Sequence, residues 1–395
     1  MAHEYTQMAG RAGRRGIDTI GHVIHCNNLF SLPTKTEYRD ILCGKAQSLI
    51  SKFRISYSWV LATSVSVKED QIVLSKKSMI YEELQRMIIS RKEHKENAEY
   101  TFLSKQVEIE KISYDIDHCR KYNEIQEIVG TLVNKQKREK QREIEVLETQ
   151  YPTINQDAKI VKDHDCWLQM KIHEEEELFY LETYIETQFE KVKTVLQENK
   201  YVELEAGLTI LGRVASKMSE VHPLVWSGCM VEKWNYFADF SVKQIVGLLS
   251  CITDIKVPEE YRRYAIRFQE TDVFLQDRLK ELQEEYTKYE KIEEERELRT
   301  GMKYTDVLSF DIVEEAMKWC DCETEEDCKL FISCELSKKE IGVGDFTKAM
   351  LKIATVAREW SSIPEIVENV SLAYKLVQID TMILKYIATN QSLYV

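Results

Sequence analysis

Proline and glycine are scarce in this chain, with 5 and 13 copies among 395 residues. With few helix breakers and 31% charged residues, long helices are favoured over a sheet-rich fold. No apolar run approaches the roughly 18 residues that a membrane span needs. The start, Met1-Ala2-His3-Glu4-Tyr5, has no basic region followed by an apolar stretch, so no secretory signal is read. An intracellular setting is expected: nucleus, cytoplasm or a viral factory. Ten cysteines are present, but they follow no disulfide framework, and reduced thiols are the default. The cluster Cys320, Cys322, Cys328 and Cys334 has gaps of one, five and five residues, which fit tetrahedral zinc poorly. No metal site is expected.

The formal charge of −13 argues against a passive nucleic-acid coat. Its distribution matters more than its sum. Residues 1–81 hold 11 Lys/Arg against 6 Asp/Glu, a local balance of +5, and the remainder carries −18. Any phosphate-facing surface must therefore be local.

Most of the chain reads as helix. Gly21–Cys26 is β-branched and loosely alternating, as a strand should be. Leu49, Phe53, Tyr57 and Leu61 recur at helical spacing, and Ser66-Val67-Lys68-Glu69 fits a capping box. Residues 82–205 are dense in Glu, Lys, Gln and Arg and predict long antiparallel helical arms turning near Pro152. Asn134–Arg142 is too charged for a core and predicts a solvated helix. Ser241 is placed to cap a helix bearing Val242, Ile245, Val246, Leu249 and Ile252. Residues 267–300 predict a further charged helix, and 310–395 several amphipathic ones. Trp226, Trp234 and Trp319 are read as core.

The strongest chemical signal is Gln7-Met8-Ala9-Gly10-Arg11-Ala12-Gly13-Arg14-Arg15-Gly16-Ile17-Asp18. Its glycines allow a tight turn and a close approach of backbone to ligand. On a helical turn Arg11 and Arg14 would point the same way, and two guanidiniums suit phosphate oxygens. An arginine brought to a γ-phosphate stabilises the charge that spreads during phosphoryl transfer. A second pattern spans Phe346–Trp360. Phe346, Met350, Ile353, Ala357 and Trp360 share one helical face, and Lys348, Lys352 and Thr355 share another. Taken alone, the second face fits a solvated surface as well as a ligand surface.

The arginine run resembles motif VI of superfamily 2 helicases, in the form found in the superkiller-type DExH branch of RNA helicases. The resemblance makes Arg11 and Arg14 arginine fingers and places Gln7, Gly10, Gly13 and Asp18 beside the nucleotide. Leu49–Tyr57 is similar to the family's entry into a winged helix. Leu211–Ser216, Gln244–Ser250, Trp319, Gly344, Lys348, Lys352 and Asn390–Val395 follow the C-terminal helical domain called DSHCT. The resemblance makes Phe346–Trp360 the ratchet helix, whose Lys348, Lys352 and Thr355 would meet RNA phosphates. The family usually has Arg at the two lysine positions. Its exosome-associated members carry a small β domain on the arm, and residues 82–205 show no β-rich insert.

The implied organisation is mostly α. Residues 1–44 would end a second RecA-like lobe, 45–81 form a winged-helix unit, 82–205 a helical arm, and 206–395 the helical bundle. The implied activity is ATP- and Mg2+-dependent 3′-to-5′ RNA unwinding or translocation. The partners would be single-stranded RNA and RNA-decay proteins, with no membrane. The chain has no Gly-x-x-x-x-Gly-Lys-[Ser/Thr] loop and no Asp-Glu-x-His, so by itself it is expected to hydrolyse no ATP. A motif seven residues from the start also leads to the expectation that Met1 is not the true start. Two alternatives stand beside this reading: a helical RNA- or protein-binding scaffold from a split gene, and unwinding of DNA.

Overall fold

The computed structural model describes every residue except 1, 15, 25, 27–32, 45–50, 67–70, 204–206, 256, 264–272 and 389–395; the side chains of 65, 66 and 134 are also left aside. Its architecture is mostly α, as the scarcity of proline and glycine predicts. Two units are compact: residues 1–52 and 53–395.

In the first unit, α1 (Ala2–Ala9) packs beside α2 (Lys35–Cys43). A capping box opens α2: Glu37 N donates to Thr34 Oγ1 at 3.3 Å, and Thr34 N donates to Glu37 Oε2 at 2.7 Å. Among the described residues of Gly21–Cys26 the expected strand is not seen. The described residues of that stretch are irregular, and Ile24 is 84% exposed. A strand is stable only with a hydrogen-bonded neighbour, and none exists in this unit among the described residues.

The second unit begins with α3 (Tyr57–Ser66) and α4 (Gln71–Ser75). The apolar spacing from Leu49 to Leu61 overstates the helix. Ser56 Oγ accepts from Trp59 N at 3.3 Å and so starts α3, leaving Phe53 on irregular chain, its ring edge-on to Trp59 at 5.5 Å. Leu49 lies outside the described residues. Ser66 is the last residue of α3 and not a cap, while Val67, Lys68 and Glu69 lie outside the described residues.

The arm is built from α5 (Met79–Ile109) and the 45-residue α8 (Ile154–Glu198). Their antiparallel course is fixed by cross-helix pairs: Lys92–Glu182, Lys95–Glu175 and Arg91–Glu174. Between them α6 (Ile116–Val129) and α7 (Asn134–Gln150) close a small core of their own, around Cys119, Tyr122, Ile125, Leu147, Ile154 and Val161. Pro152 stands in the turn between α7 and α8, where its missing N–H costs nothing. The charged start of α7 is exposed.

After α8 a two-stranded hairpin pairs β1 (Val202–Glu203) with β2 (Gly207–Leu208). The bundle follows as α9 (Ile210–Ala215), α10 (Pro223–Gly228), α11 (Val242–Ser250), α12 (Val273–Glu295), α13 (Val313–Asp321), α14 (Glu325–Phe331), α15 (Val343–Glu359), α16 (Ile363–Ile366) and α17 (Val370–Ile383). Ser241 caps α11 through a capping box with Gln244. Residues 267–272 of the helix expected over 267–300 lie outside the described residues, and α12 ends at Glu295. Trp226, Trp319 and Trp360 are fully buried, and Trp234 is nearly so. Trp319 Nε1 donates to the Ile383 carbonyl at 2.9 Å, which ties α13 to the end of α17. The ending Asn390–Val395 lies outside the described residues.

Candidate nucleotide motif and candidate nucleic-acid face

The arginine motif starts on α1, whose last turn carries an exposed Gln7. Past Ala9 the chain tightens into three-residue turns, with Arg11 N donating to Met8 O at 3.1 Å and Ala12 N to Ala9 O at 3.0 Å. Gly13 then takes φ +83°, a left-handed conformation that side chains resist. Arg11 and Arg14 therefore lie on opposite sides of a left-handed residue and do not share the helical turn expected of them. Arg15 lies outside the described residues.

Arg14 folds onto Asp18. Its backbone N donates to Oδ2 at 2.7 Å, its Nε to the same oxygen at 3.1 Å, and an Nη to Oδ1 at 3.3 Å. The side-chain bond from Arg14, helped by the backbone bond, holds the Asp18 carboxyl below its usual range. The Arg14 side chain stays 73% exposed, and Arg11 is exposed too. Asp18 uses only part of the five-donor fork, so Arg14 is oriented yet still has N–H groups for another acceptor. The loop closes where Gly21 meets Ala12: a Cβ on Gly21 would lie 2.5 Å from the Ala12 carbonyl oxygen. Sequence reasoning read Gly21 as the start of a strand and missed this packing role.

These residues fit one wall of a nucleotide site, since they supply positive donors on a glycine-hinged loop. A phosphate-cradling loop and carboxylates for Mg2+ would have to come from elsewhere.

In the second unit, α15 has the two faces its sequence predicts. Phe346, Met350, Ile353, Ala357 and Trp360 are buried. On the other face each candidate residue has an intramolecular partner. Lys348 Nζ lies 2.9 Å from Asp345 Oδ1, Lys352 Nζ is paired with the Glu220 carboxylate, and Thr355 Oγ1 donates to the Leu351 carbonyl at 2.8 Å. One helical turn beyond Thr355, Glu359 accepts from Ser219 N at 2.8 Å, from Ser219 Oγ, and from Glu220 N at 3.2 Å. The corner Ser219-Glu220 is thereby strapped along the polar face of α15 from Lys352 to Glu359. Sequence reasoning had no signal for Glu220 or Glu359, because the contact spans well over a hundred residues.

A buried relay anchors that corner from behind. His222 is the N-cap of α10, its Nδ1 accepting from Val225 N at 3.3 Å. The ring proton therefore sits on Nε2, which donates to the Tyr304 hydroxyl at 2.9 Å. Tyr304 in turn donates to Glu293 Oε1 at 2.8 Å, and Thr300 donates to the same oxygen at 2.7 Å. Tyr57, Tyr286 and Tyr289 pack around the imidazole. Burial pushes His222 down to about 3, and burial raises Glu293.

The two groups act oppositely on stability. A neutral His222 is retained in the fold, whereas the unfolded chain binds a proton near the ordinary 6.5, so its contribution falls as pH drops below that value. Glu293, raised in the fold, takes up its proton earlier than in the unfolded chain as pH falls and so contributes the other way. Between about pH 7.5 and about pH 5.5 the His222 contribution should fall by up to ~1.4 kcal/mol per pH unit. Over that range the urea midpoint of the wild type should fall relative to that of His222→Gln. An equally steep fall in the variant would contradict this account.

Of the cysteine cluster, Cys320, Cys322 and Cys328 are buried thiols and Cys334 is exposed. Cys320 and Cys322 donate to the Ala316 and Lys318 carbonyls, and burial pushes them up to about 12 and about 11. Among the described residues no group of three His, Cys, Asp or Glu is arranged to hold a metal. No helix among them is long and apolar enough to cross a membrane.

Comparison with known proteins adds a family. The profile of the DSHCT (NUC185) domain matches residues 205–390, the stretch that holds β2 and the bundle with α15. Three relatives share shorter stretches. DExH-box ATP-dependent RNA helicase DExH11 of Arabidopsis thaliana is 46% identical over 59 residues, 15% of this chain and 4% of that protein. Superkiller complex protein 2 of Homo sapiens is 44% identical over 59 residues, 15% of this chain and 5% of that protein. Antiviral helicase SKI2 of Saccharomyces cerevisiae is 43% identical over 60 residues, 15% of this chain and 4% of that protein. Residues 205–390 are thus a DSHCT domain, and the chain is helicase-related, similar to the C-terminal region of superkiller-type DExH-box RNA helicases.

Proposed function

We propose that the chain is the C-terminal part of an ATP-dependent RNA helicase that moves 3′ to 5′ along single-stranded RNA in RNA processing or decay. The observation that carries this reading is α15. It lies inside the matched DSHCT stretch and presents Lys348, Lys352 and Thr355 on one face. Those residues would follow RNA phosphates without reading sequence. Residues 45–81 would act as the winged-helix unit, 82–205 as the arm, and 206–395 as the bundle, which together surround the strand.

In the complete motor, ATP and Mg2+ would be held mainly by a lobe with a phosphate-cradling loop and Asp-Glu-x-His. Arg11 and Arg14 would reach the γ-phosphate, with Gln7, Gly10, Gly13 and Asp18 shaping their approach. Bound ATP supplies the transferable phosphoryl group, and this chain supplies positive charge held at a fixed place. The chain alone would hydrolyse no ATP.

A second reading, a scaffold for RNA-decay proteins, is favoured by the arm. Tyr100, Leu103 and Val107 lie at helical spacing on α5 and are 78%, 53% and 55% exposed.

Fluorescence anisotropy with single-stranded oligonucleotides tests the RNA reading. Binding should be stronger for RNA than for DNA of the same length. Lys348→Gln should weaken RNA binding and lower the salt slope by about 0.7, the value of one single-strand phosphate contact. Equal binding of RNA and DNA would favour a DNA substrate, and no binding of either would leave the scaffold.

A further inference from the structure

Glu220 is a carboxylate that the fold sets against Lys352 on the polar face of α15. Its backbone N–H is clamped by Glu359 at 3.2 Å, and the neighbouring Ser219 N by the same carboxylate at 2.8 Å. Two residues on, His222 is buried in its relay with Tyr304 and Glu293. The corner is thus fixed at both ends, and the Glu220 side chain reaches Lys352 across a separation of 132 residues in sequence. Both partners remain open to solvent, with side chains 41% and 35% exposed. A groove runs beside the pair. Tyr286, Met302, Val307 and Ile252 line its apolar part, and Lys303, Asp254 and Asp306 line the rest of its wall, so the two lysines of the groove face carboxylates besides Glu220.

An exposed carboxylate on a lysine offers the charge and the acceptor oxygens that a phosphate would offer. Such a pair is weak in itself, so a polyanion can displace it. From this placement we infer that Glu220 is an intramolecular stand-in for an RNA phosphate, which occupies Lys352 until a strand enters the groove and takes its place. The inference rests on the reading of α15 as an RNA-facing helix and adds a residue that sets how tightly RNA is held there. Glu220 would raise the threshold for binding, so that short or weakly charged strands fail to displace it. Lys348 lies one turn away and pairs with Asp345 on its own helix, and so would make first contact.

The test is a double-mutant cycle on the whole chain, with single-stranded RNA of roughly 12 nucleotides as the probe. Affinity is read by anisotropy from about 50 to 200 mM salt. Glu220→Gln keeps the size of the side chain and the backbone clamp. It should tighten binding by about threefold or more, in keeping with the modest value of an exposed pair. Lys352→Gln should weaken binding. The double variant should bind like Lys352→Gln alone, because without the lysine there is nothing for Glu220 to cover. If Glu220→Gln tightens binding equally in both backgrounds, it only removes general repulsion, and the inference is overturned. If wild type binds RNA and Glu220→Gln leaves affinity unchanged, the inference fails while the RNA reading stands. If no variant binds RNA, the RNA reading fails and takes the inference with it.

Discussion

Replacing Arg14 with alanine should cut ATP turnover by about a thousandfold or more when this chain is combined with a polypeptide carrying the phosphate-cradling loop and Asp-Glu-x-His. The size of the effect follows from the transition state of phosphoryl transfer, in which charge spreads over the γ-phosphate oxygens. A guanidinium delivered to them acts in a partly water-excluded cleft, where its charge counts for more than in bulk solvent. Arg14 is suited to this by the bidentate hold of Asp18, which orients the fork before any nucleotide arrives. Arg14→Lys keeps the charge and loses the planar fork, so it should recover only part of the activity. Arg11→Ala should show a loss of the same kind. Neither change should alter the fold, since both side chains are exposed on the loop. Unchanged turnover in both variants would remove the arginines from the chemistry.

Trp319→Ala should destabilise the second unit by about 3–5 kcal/mol, the range for truncating a fully buried aromatic residue. Trp319 is fully buried against Phe331 and Phe346, with ring centroids at 5.3 and 5.5 Å. Its indole N–H also satisfies the Ile383 carbonyl at the end of α17. Truncation thus leaves both a cavity and a buried acceptor without its donor. Phe346 belongs to α15, so the seat of the candidate RNA face should loosen as well. Trp319→Phe refills most of the space and should cost roughly 1–3 kcal/mol, chiefly through the lost hydrogen bond. Chemical denaturation of the three proteins checks the order. An alanine variant as stable as the phenylalanine variant would contradict the packing account.

What was legible in the sequence was local. Few prolines and glycines foretold the helices, Pro152 marked a turn, Ser241 a cap, and the tryptophans a core. The buried face of α15 followed from spacing alone. What was not legible depends on residues far apart. Glu220 meets Lys352, and His222 meets Tyr304 and Glu293, through packing that no local pattern encodes. The misreadings have the same origin. Gly21–Cys26 has the composition of a strand but, among the described residues, no neighbour to pair with, and Phe53 has helical spacing but precedes the cap that starts the helix. In the arginine motif the residue types were plain, whereas their arrangement turned on the left-handed Gly13 between Arg11 and Arg14.

The central claim, that this chain completes a nucleotide motor acting on RNA, is tested most directly by mixing it with a polypeptide that supplies a first RecA-like lobe and the rest of the second, and measuring ATP hydrolysis with and without single-stranded RNA. The account predicts that neither polypeptide is active alone, that the mixture hydrolyses ATP, and that RNA stimulates it more than DNA does. A mixture that forms a stable complex but stays inactive with RNA present would contradict the claim and leave the chain a binding scaffold.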